Sequence, residues 1–322
     1  MRRLDKRNFA EWAEDLRRPF QADYFAMYSS VYEGIVIDPV LMLVPVDDHL
    51  VHRGDGVFES LRCVEGSLYN LGAHLERLAE SAKAMSLRLP GGRSGVEQAI
   101  VETVRAGGRR DCLVRVLVSR GSGSFGASPY DCPAPQLYVV AAQTPVPFMQ
   151  AHRGGASLKS SSMPVKQPMF AAAKNCNYLP NALMKKEAVD AGVDFVVGFG
   201  EDGRLGEGAT ESVGIVTADN RLLFPAPGRI LRGTTMVRLV ELAQDLVREG
   251  ALADAALRPI PRKEVARAPE ILIAGTTVDV TAVTSYDGAP VGGGVPGPVY
   301  QRLRDLLDAD MRTNAGLRTR VF

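Results

Sequence analysis

Apolar and polar positions along this chain repeat with two different periods, and the switches between them mark out the expected elements. Residues 1–27 place Phe9, Trp12, Leu16 and Phe20 at helical spacing, which predicts an amphipathic helical extension. Its polar face mixes acids with bases, so packing or contact with another copy is the expected role rather than a membrane surface. Strand-like runs follow at 34–37 and 41–46. The runs 57–64 and 67–70 flank Glu65–Gly66 and predict a hairpin. Helices are predicted over 73–87, with Leu75, Leu78, Ala79, Ala82 and Met85 on one side, and over 94–106, with Val96, Ile100, Val101 and Val104. Strands at 112–119 and 136–142 complete a first unit.

The Pro and Gly content of 143–155 is that of a linker. Beyond it come strands at 156–160 and 194–199, a hairpin of 213–217 and 221–224, and strands at 271–274 and 278–283. A helix is predicted from about Pro180, which suits a first turn, to a stop at Gly192, and further helices across 235–249 and 298–311. The organisation expected is an α/β (α+β) chain with a helical extension at 1–27, a small α+β domain at 28–145, an interdomain linker at 146–155 and a larger domain at 156–322.

Composition narrows the function classes. With 322 residues, 46% hydrophobic and 23% charged, the chain can build two ordinary cores. A formal net charge of +1, with basic pairs such as Arg2–Arg3 and Lys185–Lys186 set among acids, argues against a nucleic-acid platform. No apolar run reaches membrane-spanning length, and the N-terminus has no apolar signal region, so a cytoplasmic protein is expected. Cys63, Cys112, Cys132 and Cys176 show no metal spacing and no metal site is expected; Cys63 and Cys112 lie in strand-like runs and read as core residues.

The candidate chemistry centres on Lys174. It stands at a loop-to-helix junction behind Ala171, Ala172 and Ala173, and an amine among apolar groups loses solvation in its charged form and gains nucleophilicity. Taken alone, such a lysine is better read as an ordinary solvated charge. The surrounding motifs change that balance. HRGDGVFESLR, KNCNYLPNALMKKEA, GEGATES, ILRGTT and AGTTVDVTAV occur in that order. Together they resemble the class IV aminotransferases, the fold type IV family of pyridoxal-phosphate enzymes, over roughly residues 26–311. AMYSS, DDHLVHRGDGVF and KNCNYLPN are most similar to its D-amino-acid transaminase and aminodeoxychorismate lyase branch.

The resemblance implies a two-domain fold with its site between domains, a homodimer, pyridoxal 5'-phosphate as cofactor, and an amino donor and 2-oxo acid acceptor as small-molecule partners. It makes Lys174 the Schiff-base lysine and proton carrier, and Glu207 the partner of the pyridine nitrogen. Gly233, Thr234, Thr235, Thr276 and Arg53 become the phosphate site, and Tyr178 a neighbour of the ring. Phe58, Ser60, Arg120 and Thr277 are expected at the substrate, His74 and Arg77 as packing or hydrogen-bonding residues. The loop SRGSGSFGASP lacks the arginine and histidine with which Bacillus-type D-amino-acid transaminases hold the substrate carboxylate, leaving Arg120 and Arg232 as candidates. The activity implied is transamination, of a D-amino acid first and a branched-chain L-amino acid second. The alternative is aminodeoxychorismate lyase, since Ser60 keeps a hydroxyl where the lyases carry threonine.

Overall fold

The hairpin expected around Glu65–Gly66 forms, joining the strands Gly56–Val64 and Ser67–Tyr69. Both turn residues take positive φ, 50° and 80°, the pair of left-handed conformations that matches the twist of a two-residue turn. The structure, a computed structural model, describes residue 3 and residues 5–322; Met1, Arg2 and Leu4, which open the predicted extension and its Arg2–Arg3 pair, lie outside the described residues. The chain divides into two compact units, one of residues 1–144 with 318–322, the other of residues 145–317.

The first unit is an antiparallel seven-stranded sheet. Its order is Arg318–Arg320, Ser67–Tyr69, Gly56–Val64, Cys112–Ser119, Gln136–Ala142, Tyr24–Ser29 and Gly34–Val36. The helices Leu71–Ala84 and Gly92–Gly107 supply Leu75, Leu78, Val96, Ile100 and Val104 to a core shared with Val57, Leu61, Val114, Val116 and Val118. Cys63 and Cys112 belong to that core, facing each other across two strands. Since strand residues alternate between faces, Phe58, Ser60 and Arg115 point to the opposite side of the sheet.

One buried carboxylate is held in this core. Glu59 is 1% exposed and accepts from Arg77 Nε and Nη2, each at 2.7 Å, and is joined to His74 Nδ1 at 2.8 Å. Burial alone would raise its pKa, but the Arg77 charge and hydrogen bonds overcome that and hold it down to about 2. His74 and Arg77 are thus the hydrogen-bonding residues their helix was expected to carry.

Two expectations fail here for physical reasons. The helical pattern of 1–27 gives a helix only at Phe9–Asp15, then a 3-10 turn at Pro19–Asp23 and the strand Tyr24–Ser29. That strand has ladder partners on both sides and buries Ala26, Met27 and Ser29, so tertiary pairing overrides the apolar spacing. The strand expected at 41–46 does not form. Asp38 caps a 3-10 turn at Pro39–Leu41, and the following Leu43, Val44 and Val46 stay exposed without a neighbouring strand.

The second unit is a mixed nine-stranded sheet that closes on itself. From Ser212–Val216 the path runs through Glu270–Gly275, Asp279–Tyr286, Ala156–Ser160 and Phe195–Phe199 to Leu205–Gly208. Glu207 then pairs with Ser212 and completes a ring of strands. Arg221–Phe224 and Asp254–Leu257 extend the sheet from Ser212–Val216, and Ala289–Pro290 pairs with Asp279–Tyr286. Leu158, Val197, Val213, Ile215, Ile271, Ile273 and Val283 pack into one core. Helix Thr234–Arg248 lies against Arg221–Phe224, Asp254–Leu257 and Glu270–Gly275, burying Met236, Leu239, Leu242 and Leu246. The helix Pro298–Thr313 packs beside it.

Candidate active site

Lys174 is held by the chain immediately around it. The helix expected from Pro180 forms as Leu179–Asp190, and Lys174 stays in the loop that joins it to the short helix Pro168–Ala171, at the loop-to-helix junction expected for it. Asn175, which is 2% exposed, closes the loop through its own side chain. Its amide donates to the carbonyls of Phe170 at 3.0 Å and Ala173 at 3.2 Å, and its oxygen accepts from Asn177 N at 3.1 Å. A side chain that satisfies backbone groups locally competes with helix formation and fixes a turn instead. Pro180 then sits in the first turn of the following helix, where its missing N–H costs nothing. Half-buried Lys174 is therefore presented by a rigid loop.

Lys174, Tyr178 and Glu207 line a single pocket with Lys166, Ala171, Ala173, Asn181, Gly208, Ala209, Thr210 and Leu231. Glu207 reaches it from the strand Leu205–Gly208, at the seam of the ring. Its carboxylate accepts Leu231 N at 3.1 Å. Desolvation pushes the carboxyl above the usual carboxylate range, against that N–H and the charges of Lys166 and Lys174. A carboxyl so placed is well matched to a partner that is itself protonated. Asn181 donates to Ala209 O at 2.5 Å, while its buried Oδ1 has no partner among the described residues.

Gly233, Thr234 and Thr235, expected at a phosphate, follow the pocket-lining Leu231 closely in sequence. Gly233 caps the helix Thr234–Arg248, so the first N–H groups of a long helix, with Thr234 and Thr235, begin three residues after the pocket-lining Leu231. The N–H groups and the dipole at a helix start favour a phosphate. A Cβ added at Gly233 would lie 2.6 Å from Ser212 Oγ, so the backbone approach needs glycine for space rather than for φ, which is −60°. Ser212 pairs with Ala274 in the strand that ends at Gly275, which brings Thr276 and Thr277 to the same end of the sheet. Gly233→Ala is expected to cost about 1–3 kcal/mol through overpacking. Urea unfolding of Gly233→Ala and of Gly233→Ala with Ser212→Ala reads this: the second change should recover most of the loss.

The remaining expected residues, Arg232 excepted, lie in the first unit. Arg53 ends the short helix His49–Arg53 and donates to His52 O at 2.9 Å and Phe125 O at 2.5 Å. Phe58 and Ser60 share a sheet face with Arg115, which lies directly opposite Ser60 and places its guanidinium 5.9 Å from the Phe58 ring centroid. Arg120 has a different task from the one expected of it. It grips Asp55 at 2.9 and 3.0 Å and donates to the carbonyls of Ser86 at 2.8 Å and Met85 at 2.9 Å. Those bonds occupy all three guanidinium nitrogens in tying loops together, so Arg120 is a structural clamp. Arg232, exposed beside Gly233, is the other candidate.

Sequence reasoning missed Lys166, Asn181 and Arg115. Lys166 and Asn181 come to the pocket by folding, with no spacing relative to Lys174 that marks them. Arg115 was legible, as a charge in the middle of an otherwise apolar strand, LVRVLV.

Comparison with known proteins bears on the family and the fold. The family model described as amino-transferase class IV matches residues 56–286. The chloroplastic D-amino-acid transaminase of Arabidopsis thaliana is 35% identical over 291 residues, spanning 90% of this chain and 77% of the relative. A Mycobacterium tuberculosis protein named bifunctional aminodeoxychorismate lyase / D-amino acid transaminase is 33% identical over 229 residues, 66% of this chain and 76% of its own. Among solved structures, a branched-chain amino acid aminotransferase from T.th., crystallised with pyridoxamine 5'-phosphate, superposes with a TM-score of 0.85 at 28% identity, covering 93% of this chain and 99% of the other.

Proposed function

This chain belongs to the class IV aminotransferases, which are pyridoxal-phosphate-dependent, and we propose that it transfers an amino group between a D-amino acid and a 2-oxo acid. The observation that carries the reading is the convergence of Lys174, Tyr178 and Glu207 on one pocket that Leu231 also lines, three residues before the start of a helix. The residues present fit the cofactor. Gly233, Thr234, Thr235 and Thr276 would hold its phosphate, Glu207 its ring nitrogen, Tyr178 would stand by its ring, and Lys174 would carry it covalently. Arg53 is proposed as a further phosphate contact.

Bound there, pyridoxal phosphate supplies an aldehyde that takes up the amino group and a ring that accepts electrons. The chain's own residues do the rest. The Lys174 amine takes the proton from the substrate Cα as general base and returns one as general acid. Glu207, kept ionised, holds a proton on the ring nitrogen by a charge-assisted hydrogen bond. The helix start fixes the phosphate and with it the orientation of the reacting atoms.

Substrate class is supported by relatives and by one surface. Proteins named as D-amino-acid transaminases match this chain at 35% and 33% identity. The sheet face of Phe58 and Ser60 offers an aromatic wall, a hydroxyl and the exposed cation of Arg115, a set suited to a carboxylate-bearing substrate. A homodimer is also proposed: Phe20, Ile37 and Val46 are 60%, 68% and 69% exposed within one short stretch, an apolar density that favours cover by a partner. D-alanine with 2-oxoglutarate should be turned over at least about tenfold faster than L-leucine, measured as kcat/KM. Faster turnover of L-leucine would move the assignment to branched-chain substrates, and 4-aminobenzoate formed from aminodeoxychorismate without amino transfer would move it to the lyases.

A further inference from the structure

A second amine shares the pocket with Lys174. Lys166, in the loop before Pro168–Ala171, lines the space that holds Lys174, Tyr178 and Glu207, and also an adjoining one bounded by Asn181, Met184, Glu207 and Arg229. Its ammonium stands over the Tyr178 ring, 5.1 Å from the centroid, a cation–aromatic contact that fixes where the charge points.

We propose that Lys166 is a positioning residue that keeps Glu207 ionised, its fixed positive charge complementing the buried carboxylate throughout the reaction. The proposal rests on the aminotransferase reading and deepens it. Glu207 faces Lys166, Lys174 and the like-charged Glu211, and it accepts the Leu231 N–H; Tyr178 and Arg229 are the other ionisable side chains lining these spaces. Burial works against the carboxylate, so cations are needed to offset it. Lys174 cannot serve alone, because its amine is the group that carries the cofactor and moves the proton, and its charge changes as it does so. Lys166 has no such duty. The coupling is visible from both sides: desolvation lowers the Lys166 pKa, and Glu207 is the group that opposes the fall.

The test uses the full chain without cofactor. With glutamate labelled at Cδ and the Glu207 signal assigned by its loss in Glu207→Gln, Lys166→Met should raise the midpoint of the Glu207 titration by about one pH unit. Lys166→Arg, which keeps the charge, should restore it. Because linkage is reciprocal, Lys166 marked by reductive methylation should titrate lower in Glu207→Gln than in the parent. A Glu207 midpoint unmoved in Lys166→Met overturns the proposal; should that variant not fold, a Lys166 midpoint unmoved in Glu207→Gln overturns it equally. Borohydride reduction of the loaded enzyme separates the two readings. A pyridoxyl adduct on Lys174 with uncoupled titrations removes the role of Lys166 alone, whereas coupled titrations with no adduct remove the cofactor assignment.

Discussion

Lys174→Ala should yield a folded protein whose turnover is lower than the parent's by at least about a thousandfold and which releases the cofactor on desalting. Two proposed roles would end with one substitution: covalent attachment and the proton transfer at the substrate Cα. Folding should survive, because Asn175 pins the loop through the carbonyls of Phe170 and Ala173. A melting temperature within about 2 °C of the parent would establish that the loss is chemical. Borohydride reduction followed by peptide mass mapping gives the independent check, with the pyridoxyl mass expected on the peptide carrying Lys174. Finding it on the peptide that carries Lys166 instead would reverse the roles of the two lysines.

The second large effect belongs to stability. Arg77→Met should destabilise the first unit by about 3–5 kcal/mol, the usual cost of leaving a buried charge without its partner. Glu59, 1% exposed, would keep His74 and the Ser60 N–H but no permanent cation. The pH dependence has a definite sign. A carboxylate whose folded pKa is depressed contributes stability that is complete above its unfolded value and disappears as pH falls through the folded one. For Glu59 that window runs from its ordinary value of 4.5 down to about 2. Urea unfolding at pH 7 should therefore show the full gap between Arg77→Met and the parent, and at pH 3 a smaller one. A gap below about 1 kcal/mol that ignores pH would mean the triad does not hold this core.

What the sequence disclosed follows from how local each signal is. The turn Glu65–Gly66 and the apolar stripes of Leu71–Ala84, Gly92–Gly107 and Thr234–Arg248 are written within a few residues, and they form nearly where the local pattern places them. Tyr24–Ser29 was hidden because its strand state comes from Gln136–Ala142, more than a hundred residues away. Leu205–Gly208, with two glycines in LGEG, has no strand propensity of its own and is held by pairing on both sides. The pocket shows the same division. Lys174 and Tyr178 share a motif, and Glu207 was tied to them only through family resemblance. Lys166 joins them by the course of a loop, and the Arg120 clamp depends on carbonyls at Met85 and Ser86 that no motif connects to it.

The closure of the second sheet at Glu207 and Ser212 has a mechanical meaning. A closed ring has no terminal strand from which to fray, so the carboxylate at its join cannot drift by local peeling. Moving Glu207 by one position would turn its side chain to the opposite wall and would require every other strand in the circuit to slip with it. Length changes in this unit should therefore be tolerated in the turn at 200–203, away from the join, and not in the short connection 209–211. There, a single inserted residue would break the pairing of Glu207 with Ser212 and displace the Glu207 carboxylate.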